Sequence, residues 1–219
     1  CTRLFGAEET TCPHDGQKLL KVGTGSDERV GEVIEGRYTL LGVLGEGGMG
    51  AVYRALQHTM EREVALKLLK RSYAEDPATV QRFLREAKLA SRLAHPNVIT
   101  LFDFGQTEEG ELYLIMELLE GRTLRELLDE GSPMPTDRVV RLMTQVCDAL
   151  AAAHEVDIIH RDLKPENIFV LDTQGGDFVK VIDFGIAKAR TEGDASTITQ
   201  EGVVFGTPFY LSPEQGMGQ

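Results

Sequence analysis

The sequence predicts an α+β fold built from two lobes. Residues 37–116 alternate apolar strand patterns with one helical pattern, which is typical of an antiparallel sheet that carries a single helix. After Gly121, helix-start signals and apolar residues at helical spacing predominate. We therefore expect one domain over residues 35–219, with a β-rich N-terminal lobe at 37–116, a hinge at 117–121 and a mainly helical C-terminal lobe at 122–219.

A glycine-rich stretch opens the N-terminal lobe. It consists of Leu44, Gly45, Glu46, Gly47, Gly48, Met49, Gly50, Ala51 and Val52. Backbone amides in such a loop can approach phosphate groups without hindrance from side chains. A dinucleotide-binding turn would need a helix after the last glycine, but the residues that follow favour a strand. We therefore predict a β-hairpin flap.

A lysine interrupts the next apolar strand, at residues 64–69. Lys67 is either an edge-strand lysine that discourages aggregation or a buried cation that needs an anionic partner. Glu86 is available as that partner. It lies in a helix predicted from the Asp76 N-cap, from Pro77 at the first helical position and from apolar residues at helical spacing.

The tripeptide Asp-Phe-Gly occurs twice, at residues 103–105 and 183–185. The first copy lies in an apolar stretch that favours a hairpin strand, so we interpret it as structural. The second copy follows a polar loop that carries several chemically useful residues. Order and context, rather than the tripeptide itself, therefore distinguish the two copies.

That polar loop, residues 160–167, reads His-Arg-Asp-Leu-Lys-Pro-Glu-Asn. Phosphoryl transfer needs in-line geometry and positive charge more than covalent help. Asp162 can accept the proton of a nucleophile, and Lys164 can reach the transferred phosphate. Oxygens of Asn167 and Asp183 suit Mg²⁺, which takes its other ligands from phosphate and water. Each residue alone is more often a turn former, but the combination favours catalysis.

Two helix starts follow the hinge. Thr123 and Glu126 form a capping box. Thr136 opens a long helix, whose apolar positions are Val139, Val140, Leu142, Met143, Val146 and Leu150. We expect Cys147 to pack on the core face of this helix.

Composition limits the classes of partner. A chain of 219 residues with 42% hydrophobic residues can bury a real core, and its net charge of −12 argues against nucleic acid or an anionic membrane as the main partner. No run approaches the roughly 18 to 20 apolar residues of a membrane span. The N-terminus lacks the regions of a signal peptide, and three cysteines make no disulfide framework. We expect a cytoplasmic location, with membrane anchoring of a longer parent through its C-terminal region left open.

The order and wording of these motifs, from Arg37 to Glu214, resemble a Hanks-type protein kinase, and the resemblance implies its bilobal fold. It implies that ATP and Mg²⁺, or Mn²⁺ in its place, are the cofactors. Lys67, paired with Glu86, would hold the α- and β-phosphates, Asp162 would be the base, and Asn167 and Asp183 would hold the metal. The adenine would lie among Leu44, Val52, Ala65 and Phe169, beside Met116 at the gatekeeper position and the backbones of Glu117 and Leu119.

Lys164 and Thr207 indicate the substrate class. Their surrounding motifs, Asp-Leu-Lys-Pro-Glu-Asn and Gly-Thr-Pro, resemble the serine/threonine branch and its bacterial members, which implies protein substrates with Ser or Thr acceptors. Arg161 precedes the expected base, where an arginine can pair with a phosphate in the 183–214 segment. Among Thr191, Ser196, Thr197 and Thr199 we favour Thr199 as an autophosphorylation site, which a homodimer could serve.

Both ends of the chain depart from the complete family pattern. The sequence begins at Cys1 without Met, and further C-lobe helices of the family would follow Glu214. We therefore expect an incomplete C-lobe, exposed apolar surface and little activity from this piece, whereas its parent would be active. Cys1 and Cys12 in the glycine-rich, charged residues 1–34 resemble half of a zinc ribbon; the alternative is a disordered linker, because zinc needs four ligands.

Two other function classes stay open. A pseudokinase scaffold usually lacks one of the residues that correspond here to Lys67, Asp162, Asn167 and Asp183, and all four are present. A small-molecule phosphotransferase of related fold usually lacks the Gly-Thr-Pro and Ser-Pro-Glu motifs found here.

Overall fold

The structure is a computed structural model that describes residues 27–131, 133–184, 210 and 212–216. The strands are β1 (Val33–Ile34), β2 (Tyr38–Gly47), β3 (Gly50–Gln57), β4 (Arg62–Leu69), β5 (Leu101–Gln106), β6 (Leu112–Glu117), β7 (Arg122–Thr123), β8 (Ile168–Thr173) and β9 (Gly176–Val181). The helices are α1 (Pro77–Ala90), α2 (Leu124–Asp129), α3 (Thr136–His154) and α4 (Pro213–Gly216). The expected sites at Cys1, Cys12, Thr199, Thr207 and Gly185 lie outside the described residues.

The N-terminal lobe is one antiparallel sheet in the order β1-β2-β3-β4-β6-β5, and α1 packs against one of its faces. This arrangement confirms the predicted sheet with a single helix. The first Asp-Phe-Gly copy lies in β5 and pairs with β6, as predicted. Asp76 caps α1 by accepting hydrogen bonds from the backbone amides of Ala78 and Thr79, because its carboxylate satisfies amides that have no partner within the helix.

A short segment before β1 is fastened to the outer part of this sheet. We name residues 27–32 the N-terminal strap. Tyr53 donates from its hydroxyl to Asp27 at 2.8 Å, and Arg29 reaches Glu111 at 2.8 Å and Glu32 at 2.7 Å. The backbone of Gly31 and Glu32 also pairs with Leu40. The ordered lobe therefore begins upstream of residue 37.

The C-terminal lobe begins with the predicted elements. Thr123 and Glu126 form a reciprocal capping box at the start of α2, and α3 begins at Thr136 as expected. A second sheet, β7-β8-β9, packs on α3. Within the described part of the chain, no helix combines the length and the apolar character needed to cross a membrane.

The predicted core face of α3 was partly wrong. Leu142, Val146, Ala149 and Ala153 are buried, whereas Val139 and Val140 are exposed and so is Cys147. Residues four, seven and eleven positions after Leu142 return to the same side of a helix. Cys147, one position after Val146, falls on a different side. The apolar pattern of α3 is therefore wider than the stripe it buries here.

A buried amide network joins the two lobes. Asn97, which follows α1, donates to Gln145 of α3 at 3.0 Å and to the carbonyl of Val179 in β9 at 2.8 Å. Gln145 in turn accepts from the Val179 amide at 2.9 Å. The backbones of Val98 and Val181 form a parallel bridge beside this network. Because buried amides need partners, this network holds the segment between α1 and β5 against the C-terminal lobe.

Candidate active site

One face of the N-terminal sheet carries most of the residues predicted to contact a nucleotide. Val52 lies opposite Lys67 in the β3–β4 pair, and Lys67 lies opposite Leu114 in the β4–β6 pair. Ala65 lies opposite Met116 two residues away. Side chains that face each other across paired strands, or alternate by two along a strand, share one face. The structure therefore brings Val52, Ala65, Lys67 and Met116 together on the face that also receives α1.

The glycine-rich stretch is a β-hairpin, as predicted, and its glycines have different reasons to be glycine. Gly47 pairs with Gly50 at the tip, and Leu44 lies at a register shift with its side chain half exposed. A Cβ added at Gly50 would come within 1.9 Å of the Leu68 carbonyl oxygen. Cβ atoms added at Gly45, Gly47 or Gly48 would meet no atom within 4 Å. The hairpin therefore leaves open space at Gly45, Gly47 and Gly48, and a bound phosphate chain would require such space.

Lys67 lies in the central strand β4, so it is not an edge-strand lysine. Only 7% of the residue is exposed, and its ammonium forms an ion pair with Asp183 at 2.7 Å. The carboxylate of Asp183 therefore serves as an anionic partner of Lys67. Glu86 lies partly buried inside α1, and its expected pairing with Lys67 stays a prediction. A buried ammonium needs an anion close by, and the end of β9 brings Asp183 to that position.

Polar side chains of the predicted catalytic loop bond to one another within the loop. The Lys164 ammonium lies 3.2 Å from the Asp162 carboxylate, and the side-chain amide of Asn167 donates to the Asp162 carbonyl at 2.8 Å. The Ile182 backbone amide donates to the Asn167 carbonyl at 2.9 Å. This last bond joins the loop to the residue before Asp183. The structure thus brings Asp162, Lys164, Asn167 and Asp183 close together, and Lys67 joins them through its ion pair with Asp183.

His160 supports the site from within the protein. Its Nε2 donates to the Ile182 carbonyl at 2.9 Å, and its ring packs against Phe184 with 4.7 Å between the centroids. Burial lowers the pKa of His160 below its ordinary value. The neutral ring therefore connects the 160–167 loop with the 182–184 segment without adding charge to the site.

Two site residues have left-handed backbone conformations. Arg161 has a φ of 60° and Asp183 has a φ of 57°. Such values are uncommon for residues other than glycine, and they persist where the surrounding structure imposes them, which is often at functional sites. The Asp183 conformation is held by the Lys67 ion pair on one side and by the Ile182 contacts on the other.

The first hinge residue, Glu117, is bonded to a lysine of β9 that sequence reasoning missed. Lys180 in β9 forms an ion pair with Glu117 at 2.7 Å and donates to the Val98 carbonyl at 3.2 Å. Glu117 also accepts from the Thr100 amide at 2.6 Å. The signal was available, because Lys180 interrupts an apolar strand just as Lys67 does. This pair fixes the side chain of Glu117, whose backbone was expected to meet the adenine edge. Leu119 and Phe169, the other residues expected at the adenine, are partly buried.

The donor set fits a hard divalent metal. The amide nitrogen of Asn167 is occupied as a donor, which leaves the amide oxygen as its ligand atom, and Asp183 offers a carboxylate. Among the residues that the structure describes, no three His, Cys, Asp or Glu side chains form a metal cluster. A metal here would take its remaining ligands from phosphate and water, as Mg²⁺ does.

Comparisons with known proteins agree with this geometry. The family model described as the protein kinase domain matches residues 38–216 of this chain. The chain belongs to the protein kinase family. The serine/threonine-protein kinase pkn3 of Myxococcus xanthus is 49% identical over 195 residues, which cover 88% of this chain and 36% of that protein. The serine/threonine-protein kinase PrkC of Bacillus subtilis is 43% identical over 189 residues, covering 86% of this chain and 28% of that protein.

Solved structures show the same fold. The PknI kinase domain of Mycobacterium tuberculosis aligns with a TM-score of 0.63 and 32% identity, over 72% of this chain and 62% of that one. The predicted protein-kinase-like fold and the resemblance to bacterial serine/threonine kinases are therefore confirmed. ATP and a divalent metal are the cofactors that this family uses. The chain spans about a third or less of the length of the two curated kinases above.

Proposed function

We propose that this chain is the catalytic domain of a serine/threonine protein kinase that transfers the γ-phosphoryl group of Mg·ATP to protein hydroxyls. The observation that supports the proposal is that Asp162, Lys164, Asn167 and Asp183 lie close together beside the buried Lys67. The backbone hydrogen bond between Ile182 and Asn167 joins the two chain segments that carry them. The relatives named above as serine/threonine kinases support the substrate class.

Each residue has a defined part in this proposal. Lys67 would bind the α- and β-phosphates, and Asn167 and Asp183 would hold Mg²⁺, with Mn²⁺ as an alternative; the metal would neutralise charge on the phosphates. Asp162 would accept the proton of the Ser or Thr hydroxyl as its oxygen bonds to the γ-phosphorus. The bond between that phosphorus and the β,γ-bridging oxygen breaks, and ADP leaves. Lys164 would stabilise the charge on the transferred group.

The test is ³²P transfer from Mg·ATP to a Ser/Thr peptide by the full-length protein that contains this chain. Asp162→Asn should reduce transfer by at least about 100-fold, because a general base contributes on the order of 10²–10⁴. Asp157→Asn is the matched control, since it makes the same change at an exposed position five residues upstream. Equal activity in all three proteins would contradict the role of Asp162. A folded parent that binds ATP without any transfer would favour a scaffold.

We also propose that the kinase is activated by autophosphorylation at Thr199. Arg161 lies beside the expected base and could pair with a phosphate carried by the 183–214 segment. Phosphopeptide mapping of the active full-length protein should find Thr199 modified, and Thr199→Ala should lower activity. An active protein with unmodified Thr199 would contradict this proposal. A homodimer for the reaction, a cytoplasmic location and low activity of the isolated 219-residue chain stay predictions.

A further inference from the structure

Arg125 on α2 connects the catalytic loop, the segment before α4 and the C-terminal end of α2 itself. The Nε of Arg125 lies 3.2 Å from Oε1 of Glu166, and one terminal nitrogen donates to the Tyr210 hydroxyl at 2.6 Å. The other terminal nitrogen lies 3.4 Å from Asp129. The guanidinium is thereby held in one orientation, with its fork spread over groups from α2, the catalytic loop and the segment before α4.

Glu166 occupies a sensitive position in that loop. It lies between Lys164 and Asn167, four residues after the expected base Asp162, in a tight 3₁₀ turn at Pro165–Asn167. Asn167, the next residue of the turn, lies 3.4 Å from the Asp162 carboxylate. A peptide that presents its hydroxyl to Asp162 therefore lies within a few residues of this turn, because an extended chain advances roughly 3.3 Å per residue. A free carboxylate here would attract basic side chains of the substrate.

The carboxylate of Glu166 is closed in this structure. Oε1 is bonded to Arg125, and Oε2 is buried and has no hydrogen-bond partner among the described residues. A cation on a substrate could bind this carboxylate only by replacing Arg125 at Oε1 or by uncovering Oε2. The charge that Arg125 adds at this rim also repels an approaching cation.

We infer that Arg125 is a specificity-determining residue that prevents Glu166 from selecting basic side chains near the phosphoacceptor. The inference rests on the proposed kinase function. It assigns the protein a substrate class without a requirement for Arg or Lys next to the acceptor. Removal of the guanidinium would open Glu166 and convert the enzyme toward basic substrates.

The experiment uses the full-length protein and a set of peptides that share one central Thr in a neutral sequence. Each peptide carries a single Arg at one of the three positions before or after the Thr. Two quantities are measured for each peptide relative to the Arg-free parent: kcat/KM, and Kd by fluorescence anisotropy with a non-hydrolysable ATP analogue. The selectivity for Arg is the ratio between the two peptides, so a general loss of fold or activity cancels.

Arg125→Gln should raise the selectivity for Arg at one or more positions by about three- to tenfold, the range of a partly exposed ion pair. The gain should disappear in Arg125→Gln with Glu166→Gln, and should persist in Arg125→Gln with Asp129→Asn. Arg141→Gln, which removes one positive charge from an exposed pair with Asp137, should leave the profile unchanged. Glu166→Gln alone should also leave it unchanged, because that carboxylate is already closed.

Several results would overturn the inference. These are an unchanged profile in Arg125→Gln, a gain that survives Glu166→Gln, a loss of Arg selectivity in Glu166→Gln alone, or an equal gain in Arg141→Gln. Failure of every peptide to bind would overturn it as well. A shifted Kd profile without phosphate transfer would support the inference while contradicting the proposed function.

Discussion

Asp183 and Asp103 begin identical tripeptides but serve different chemistry. Asp183 bonds the buried Lys67 at 2.7 Å in the candidate active site. Asp103 accepts from the Tyr38 hydroxyl at 3.0 Å and pairs with Arg37 at 3.0 Å on the opposite side of the sheet. The chain therefore carries its own matched control for the function of this residue.

Asp183→Asn should abolish phosphate transfer, because an amide is a weaker metal ligand and a weaker partner for Lys67 than a carboxylate. Asp103→Asn should keep transfer within about twofold and reduce the unfolding free energy by about 1 kcal/mol, the net value of a hydrogen bond to a partly buried group. The measurements are ³²P incorporation and urea denaturation of both variants. Similar activities for the two variants would contradict the assignment of the second tripeptide to the site.

The lowered pKa of His160 predicts how acid affects stability. Between its native pKa and the ordinary value of about 6.5, the unfolded chain binds the proton and the native protein does not. Unfolding free energy should therefore fall as the pH drops below about 6.5. His160→Gln keeps an amide donor near the Ile182 carbonyl but cannot titrate, so it should show a smaller decrease between pH 7 and pH 5. Equal slopes in urea denaturation would show that His160 does not contribute.

Residue identities that depend on chemistry were predictable, whereas their partners were not. The residue types of the 160–167 loop and of Asp183 alone predicted oxygen ligands, a base and a cation. The pairing of Lys67 with Asp183 depends on the backbone conformation at Asp183, which the sequence pattern does not encode. The Arg125 bridge joins residues 41 and 85 positions apart and has no local signal.

At the scale of elements, the glycine-rich hairpin separates two uses of glycine. Gly50 lies against the backbone of β4, so its lack of a side chain serves packing, whereas Gly48 faces open space and its lack of a side chain serves no packing purpose. The hairpin is therefore both a packed part of the sheet and the candidate cover of the phosphates.

Gly50→Ala should lower the unfolding free energy by more than about 1 kcal/mol, because its Cβ would meet the Leu68 carbonyl oxygen at 1.9 Å and the backbone must shift. Gly48→Ala should change stability by less than about 0.5 kcal/mol and raise the KM for ATP severalfold. Thermal unfolding and ATP titrations of kinase activity distinguish the two effects. A destabilised Gly48→Ala with normal KM would contradict this division.

Local signals predicted the elements well. The Asp76 cap and the Thr123 capping box start helices through hydrogen bonds between close neighbours, so the sequence contains all the necessary groups. The buried stripe of α3 was less predictable, because Val139, Val140 and Cys147 are apolar but their burial depends on what packs beside the helix. The 27–32 strap was missed, since Arg29 and Glu111 lie 82 positions apart.

At the scale of the whole molecule, the lobes are joined by polar contacts. The Asn97–Gln145 amide network and the Lys180–Glu117 ion pair both connect β9 or α3 with the region before and after β5. Such contacts favour particular arrangements of the lobes more strongly than apolar packing does, because each donor needs its acceptor.

The N-terminal strap should contribute to the stability of the entire N-terminal lobe. Arg29→Ala would leave Glu111, which is only 8% exposed, without its main cation and should lower the unfolding free energy by about 2 kcal/mol. Arg54→Ala is the control, because the Arg54–Glu63 pair is more exposed and should contribute less than about 1 kcal/mol. Chemical denaturation tests both, and equal effects would contradict a special role of the strap.

The Lys67–Asp183 ion pair makes the binding of two ligands interdependent. A polyanion that engages Lys67 deprives Asp183 of its cation, and a divalent cation that engages Asp183 deprives Lys67 of its anion. Either ligand alone breaks a bond that it only half replaces, whereas the two together replace both halves. Their affinities should therefore rise together and by the same factor, as linkage requires. The site would thus act as a coincidence detector that responds when nucleotide and metal arrive as a pair.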